Sequence, residues 1–283
     1  MVNQEKIDQE NTEITKSLKD TLNKKFGQEV AFLLDQDENP ATIKNWLSTG
    51  STVLDSIISN NPEFPGGIAT GKLVEVSGLQ ASGKSLLAYM VMKDCKERGG
   101  IPVLIDTEYA ANINFLQMLG LEPKKNFIYI QVDSIEDVFE SIEEIIKKIR
   151  ESSKNKLCTI VWDSVAGTST KKELQNDYDE VTMASHARVI GQGLRKVIRY
   201  VGNQNVALVF LNQLRMKMNA PAFSDPYSTF GGMAIPFFSS SRIRLSIMGK
   251  IKDKNGVICG INTKCKIEKN RFGPPYRECI LNI

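Results

Sequence analysis

Leu73-Val-Glu-Val-Ser-Gly78-Leu-Gln-Ala-Ser-Gly83-Lys84-Ser85-Leu-Leu87 passes from a short apolar run, through a turn rich in small residues, into helical apolar spacing that continues at Met90 and Val91. It contains G-x-x-x-x-G-K-[ST], and each residue type there has a physical reason. Glycines at Gly78 and Gly83, with the small Ser82 beside them, let the backbone turn so that successive N–H groups converge on one anion-binding concavity. The helix that starts there adds its positive end. Lys84 supplies a point charge to the β- and γ-phosphates of a nucleotide, and the Ser85 hydroxyl can ligate Mg²⁺. The alternative, an empty structural turn, leaves the lysine and hydroxyl at those spacings without a purpose.

Beyond this loop, short apolar runs alternate with helical spacing. The predicted strands are Leu73–Ser77, Pro102–Ile105, Phe127–Gln131, Leu157–Trp162, Val206–Leu211, Ile243–Ile247 and Asn262–Ile267. The clearest helix runs from Ile135 to Arg150, with Ser134 and Asp137 as its capping pair. Such alternation predicts an α/β fold with a mostly parallel central sheet and helices on both faces. Thr159-Ile-Val-Trp-Asp163 is an apolar strand ending in a carboxylate, the arrangement that holds Mg²⁺ opposite a phosphate loop. Val103-Leu-Ile-Asp106-Thr-Glu108 offers two further acids at a strand end. Either could meet a γ-phosphate there, and Glu108 is the candidate for polarising an attacking water.

Residues Asn3 to Phe26 predict a polar helix with a sparse apolar stripe at Ile7, Ile14, Leu18, Leu22 and Phe26. That stripe is too thin to bury alone, so it should dock on the body or on another subunit. Asp35–Ala41 has linker composition, which divides the chain into an N-terminal arm over residues 1–40 and a core over 41–283. The 283 residues are 41% hydrophobic and 24% charged, ordinary for a globular chain and unlike a disordered or collagenous one. Five cysteines without a C-x-x-C pair argue against a zinc site or a disulfide framework and suit a reducing cytoplasm. Neither a secretory signal nor a membrane span is expected.

The net charge of +3 is uninformative, but its distribution is not. Six Lys or Arg and no acid fall between His186 and Lys217, and ten against two acids from Arg242 to Arg277. A basic rear half can hold a polyanion; the plainer reading is a solvated surface balanced by acids elsewhere in the fold.

Further stretches carry a family likeness: Lys25-Phe-Gly27, Ser48-Thr-Gly-Ser51 with Leu54-Asp55, the phosphate loop, Ile105-Asp-Thr-Glu108 and Asp163-Ser-Val-Ala166. Phe210-Leu-Asn-Gln-Leu-Arg-Met-Lys217, Gly231-Gly232 and Lys269-Asn-Arg271 complete the set. On these the chain, from about Leu22 onward, resembles the RecA family of bacterial DNA strand-exchange recombinases. The resemblance implies a RecA-like P-loop ATPase core using ATP and Mg²⁺. It also implies a cytoplasmic protein that binds single- and double-stranded DNA and assembles with itself into helical filaments. Glu108 falls at the position of the catalytic glutamate, and Gln213 at that of the γ-phosphate-sensing glutamine. Lys269 and Arg271 match two lysines that reach a neighbouring subunit's nucleotide. Phe115 lies near an adenine-stacking tyrosine. The implied DNA-binding loops span about 175–184 and 214–232, with Arg215, Lys217, Gly231 and Gly232 in the second, and Arg188 and Arg195 on the helix after the first.

Some positions depart from the family. Gly191 replaces a serine that contacts the DNA backbone, Arg271 replaces a lysine, and one extra residue precedes Gly232, which unsettles Phe223 as an intercalating wedge. The family's small C-terminal domain is expected to be absent. Two other readings share the sheet and phosphate loop: a hexameric helicase or KaiC-like regulator, and a recombinase paralogue acting as a mediator.

Overall fold

The computed structural model describes residues 2–34, 42–61, 63, 66–122, 126–153, 155–175, 183–202, 204–217, 223 and 225–283, with only the backbone of 2–5 and 183–184. The predicted linker Asp35–Ala41 and most of the first predicted DNA loop lie outside the described residues. The chain forms two units, Met1–Ile43 and Lys44–Ile283.

In the first unit, α1 (Val2–Phe26) matches the predicted polar helix, with Lys24 and Lys25 in its last turn, where the helix dipole favours cations. Gly27, at φ +65°, ends it. The Asn23 side-chain oxygen then accepts the Val30 and Ala31 amides, both at 2.8 Å, which folds the following segment back along the last turn.

The second unit opens with β1 (Trp46–Leu47), α2 (Thr52–Ser59) and β2 (Ile68–Ala69), the two short strands pairing antiparallel. Ser51 caps α2, its hydroxyl accepting the Leu54 amide at 3.3 Å. The main sheet is built on five parallel strands: β3 (Lys72–Gly78), β4 (Ile101–Asp106), β5 (Ile128–Ile130), β6 (Cys158–Asp163) and β7 (Val206–Met216). Between them run α3 (Lys84–Glu97), α4 (Ile113–Met118), α5 (Ile135–Ser152), α6 (Lys171–Gln175) and α7 (Met183–Val201). After β7 come β8 (Tyr227–Thr229), α8 (Ala234–Phe238), β9 (Ser241–Lys252), β10 (Ile258–Asn270) and β11 (Glu278–Asn282). The spatial order is β11-β10-β9-β3-β7-β6-β4-β5. β9 lies parallel to β3, β10 and β11 are antiparallel additions, and β8 pairs antiparallel with the end of β7.

Alternation along each strand produces two cores. Val74, Val76, Leu104, Val161, Val209 and Leu211 face one side with Leu87, Val91 and Met92 of α3 and Leu54 and Ile58 of α2. Leu73, Val103, Ile105, Ile160, Trp162, Leu208 and Phe210 face the other with α5 and α7. Both faces are covered, which is why these strands read as continuous apolar runs. Phe139, Trp162 and Phe210 form an edge-to-face cluster with centroids 4.9–6.3 Å apart. Gly193 allows α7 to approach this cluster, since a Cβ there would come within 2.2 Å of the Phe139 ring.

Three strands, β7, β9 and β10, outrun their predicted bounds by several residues. The apolar run of β7 stops at Leu211, yet the strand continues to Met216 because Leu214, Arg215 and Met216 pair with Thr229, Ser228 and Tyr227. The polar ends of β9 and β10 are likewise held by pairing with each other. Inter-strand hydrogen bonds carry a strand past the point where its side chains stop signalling it.

Candidate nucleotide site and basic loop

Pairing register brings the carboxyl ends of four strands together. Gly78 lies opposite Gln213, and Asp106 opposite Asp163. In a parallel sheet this rim is where ligands sit. The phosphate loop turns here with Ala81 at φ +58° and Gly83 at +94°. Gly78 has no room for a side chain, since a Cβ there would meet the Ser82 hydroxyl oxygen at 2.4 Å. Lys84 Nζ lies over the loop and donates to the carbonyls of Gly78 (3.2 Å) and Leu79 (2.9 Å), while the Ser82 hydroxyl donates to Leu79 O (2.8 Å).

Ser85 Oγ donates to Asp163 Oδ2 at 2.7 Å, so the two predicted metal ligands are already adjacent. Burial raises Asp163 to about 6; the Ser85 bond and the Lys84 charge oppose that shift, while Glu108 and Asp106 add to it. Burial lowers Lys84 from its ordinary value, and the charges of Asp163 and Glu108 only partly restore it. A hydroxyl beside a carboxylate, with a partly desolvated lysine held over the glycine-rich turn, fits Mg²⁺ and a nucleoside triphosphate.

The two acids after β4 divide sharply. Asp106 is buried and accepts from the amides of Glu108 (3.1 Å), Ala110 (3.4 Å) and Ala111 (2.9 Å) and from the Tyr129 hydroxyl (2.9 Å). Its lone pairs hold the loop in shape, which removes it as a phosphate partner. Glu108 instead accepts from the Ser164 hydroxyl and from Gln213 Nε2 at 3.0 Å. The predicted base and the predicted phosphate sensor therefore touch. Phe115, on α4, is exposed, with its ring 6.3 Å from that of Tyr89 on α3.

Gln213 leads into the β7–β8 hairpin, so the span implied for the second DNA-binding loop begins with paired residues, Leu214–Met216 against Tyr227–Thr229. Residues 218–222 and 224 lie outside the described residues. Arg215 stacks over Phe230 at 4.6 Å, and Lys217 Nζ donates to Asp225 O at 3.0 Å. Asp225 is also ion-paired to Arg244. Phe223 is fully exposed, at φ +70°. Gly231 and Gly232 have φ of +89° and +70°, and a Cβ on either would press within 3 Å of Ile190 or Ala187 on α7.

The remaining cations are distributed unevenly. Arg188 and Arg195 are exposed on α7, but Arg195 shares a groove of about 500 Å³ with Lys196, Arg199 and the acids Glu136, Glu140 and Glu143 of α5. There the balanced-surface reading describes part of the charge run. Arg242 is paired with Glu75 and Glu268, and Arg244 with Asp225 and Glu268. Lys269 Nζ donates to the carbonyls of Pro236 (2.8 Å) and Phe237 (2.9 Å), and Arg271 to Phe237 O (3.3 Å). Burial, with Arg271 and Arg242 nearby, lowers Lys269 from its ordinary value. Register sets Asn270 opposite Ser241, itself opposite Val74, four residues before Gly78. These two cations thus lie about 13 Å along the strands from the chain's own phosphate loop.

Sequence reasoning missed the polar link between these parts. Glu75 is fully buried in β3; its carboxylate accepts from Arg242 Nε (2.5 Å) and Asn212 Nδ2 (2.8 Å). Asn212 also donates to Phe230 O (2.9 Å) and accepts the amides of Gln213 (2.9 Å) and Phe230 (3.3 Å). An acid inside Leu73-Val-Glu-Val was the available signal, because a buried charge demands a partner.

Fold and rim together define a P-loop nucleotide-binding protein with a mostly parallel α/β sheet. Residues 12–283 match the family model described as the RecA N-terminal domain. "Protein RecA" of Ureaplasma parvum serovar 3 is 35% identical over 263 residues, covering 93% of this chain and 74% of that protein. Proteins of the same name from Wolbachia pipientis subsp. Culex pipiens and Wolinella succinogenes are each 32% identical over 93% of this chain, covering 69% and 71% of their own lengths. The chain belongs to the RecA family of recombinases.

Proposed function

We propose that this chain is an ATP-dependent recombinase that assembles head to tail on single-stranded DNA, pairs it with a homologous duplex and hydrolyses ATP where subunits meet. The observation that carries this reading is the Gln213–Glu108 hydrogen bond at the root of the basic hairpin. One side chain joins the hydrolytic centre to Arg215 and Lys217. Lys84 and the loop amides from Gly78 to Ser85, Ser82 and Gly83 included, would hold the phosphates. Ser85 and Asp163 would hold Mg²⁺, whose chemistry is to neutralise charge on the phosphoryl oxygens. Phe115 would stack on the base.

Glu108 would orient the attacking water. Gln213 would leave Glu108 for the γ-phosphate and in doing so shift β7, repositioning Arg215, Lys217, Gly231 and Gly232 against DNA, with Arg188 and Arg195 toward its backbone. Lys269 and Arg271 lie several residues along the strands from the chain's own phosphate loop, a position compatible with serving a neighbour's nucleotide in trans. Residues 1–40 would be the arm that joins subunits, and an unclosed head-to-tail contact produces a filament. Among the described residues, no helix is long and apolar enough to cross a membrane.

The test is ATP turnover with and without single-stranded DNA, together with strand exchange into a homologous duplex. DNA-stimulated turnover and joint-molecule formation are expected; turnover indifferent to DNA, with closed rings in electron micrographs, would replace this reading with the ring-forming one.

A further inference from the structure

Five thiols are present in the chain; Cys95 and Cys158 are buried in the core and Cys259 is exposed. The remaining two, Cys265 on β10 and Cys279 on β11, lie directly opposite each other in the antiparallel register. Ile261 and Ile283 exchange both backbone bonds (2.7 and 2.9 Å), and the Ile267 amide donates to Arg277 O at 2.9 Å. Every second pair between these rows, Cys265 with Cys279 included, is therefore of the hydrogen-bonded kind. Such a pair has Cα atoms about 5.5 Å apart and side chains on one face. A disulfide accepts Cα separations of about 4.4–6.8 Å, so this register meets the Cα requirement, while the Cβ atoms of such a pair stand about 5.5 Å apart and must close to about 4 Å. β11 is the edge strand of the sheet and has a partner on one side only, which leaves it free to make that adjustment.

We propose that Cys265 and Cys279 are a reversible dithiol–disulfide pair, oxidised by a peroxide, whose bond closes the segment bearing Lys269 and Arg271. Cys265 is wholly buried and Cys279 half-buried, so an oxidant reaches Cys279 first. Their electrostatics agree with that order. Contact with the Cys279 thiol, then burial, raises Cys265, whereas contact with the Cys265 thiol lowers Cys279 against an opposing burial effect.

The Cys279 thiolate attacks one peroxide oxygen; the O–O bond breaks, hydroxide leaves and a sulfenic acid forms. The Cys265 thiol then attacks that sulfur; the S–S bond forms, the S–O bond breaks, and water leaves with the thiol proton. Two thiols and one hydrogen peroxide become one disulfide and two waters. The row is close to the nucleotide rim, because Cys265 lies opposite Leu245, which lies opposite Gly78. Thr263, on the same strand, donates to Ser82 O at 3.3 Å.

The whole chain is treated with hydrogen peroxide, remaining thiols are alkylated, and peptides are mapped without reduction. The expected product is a Cys265–Cys279 cross-linked peptide, removed by dithiothreitol, with Cys259→Ser behaving as wild type. Closing a loop from residue 265 to 279 should raise Tm by about 3–7 °C, and Cys279→Ser and Cys279→Ala should both lose that rise. Recovery of both peptides with free, alkylatable thiols, arrest of wild-type Cys279 as sulfenic or sulfinic acid, or a cross-link to Cys259 would each overturn the proposal. The mapping is done on wild-type protein, so it holds even where a variant folds poorly.

Discussion

Replacing Asn212 with alanine tests whether the buried polar link holds the sheet to the base of the hairpin. Asn212 makes four hydrogen bonds: to Glu75 Oε1 and Phe230 O, and from the amides of Gln213 and Phe230. The residue is fully buried, as is Glu75, so the abandoned partners meet protein rather than water. The bond to a carboxylate is worth about 1.5–3 kcal/mol and the neutral ones about 1 kcal/mol each, with part of the Gln213 bond recoverable locally. The expected loss is about 3–5 kcal/mol, which for a chain of this size lowers Tm by about 5–8 °C. Thermal melts followed by circular dichroism measure it. Asn212→Asp keeps the shape but sets a second carboxylate against Glu75, and should lose at least as much. A Tm shift under about 2 °C for the alanine variant would show that the link does not hold the hairpin, since four buried partners cannot be orphaned at so small a cost.

Other consequences can be checked separately. Glu108→Gln should retain ATP-dependent DNA binding while hydrolysis falls by about 10²-fold or more; normal turnover would exclude Glu108 as the base. Arg271→Ala subunits should lose DNA-stimulated turnover and recover it when mixed with Lys84→Ala subunits, which lack their own phosphate contact but present an intact Arg271; no recovery in the mixture would rule out a shared site. Asp163, raised to about 6 by burial, binds its proton more tightly folded than unfolded. Its ionisation therefore costs the metal-free fold about 3 kcal/mol above pH 6, a cost that fades as pH falls toward 3.8. Below pH 6 protons should displace Mg²⁺ about tenfold per pH unit, visible in titrations of Mg²⁺-dependent nucleotide binding; Asp163→Asn should remove this dependence and raise the metal-free Tm.

Much of the site was legible because its chemistry is local. The phosphate loop and the acid ending β6 are contiguous motifs whose spacing points to their chemistry, and the Gln213–Lys217 run was marked by its resemblance to the RecA family. Asp106 and Glu108 were not separable that way: two residues apart at one strand end, they differ only in what the fold places around them. Asp106 meets three amides and Tyr129, and Glu108 meets Ser164 and Gln213. The basic runs could not be resolved for the same reason, since the counter-charges of some of their members, Glu75, Asp225 and the acids of α5, are remote in sequence.

Periodicity and motif, read along the chain, were enough for the alternating α/β class, the two-faced core and the nucleotide loop, because burial on both faces and backbone anion binding each impose a short-range pattern. Pairing register was not readable, since hydrogen bonds between strands are indifferent to side-chain identity and extend past the last apolar residue. Only the folded sheet could therefore set Gln213 against Glu108, Cys265 against Cys279, and Lys269 at the end of the strands away from its own phosphate loop.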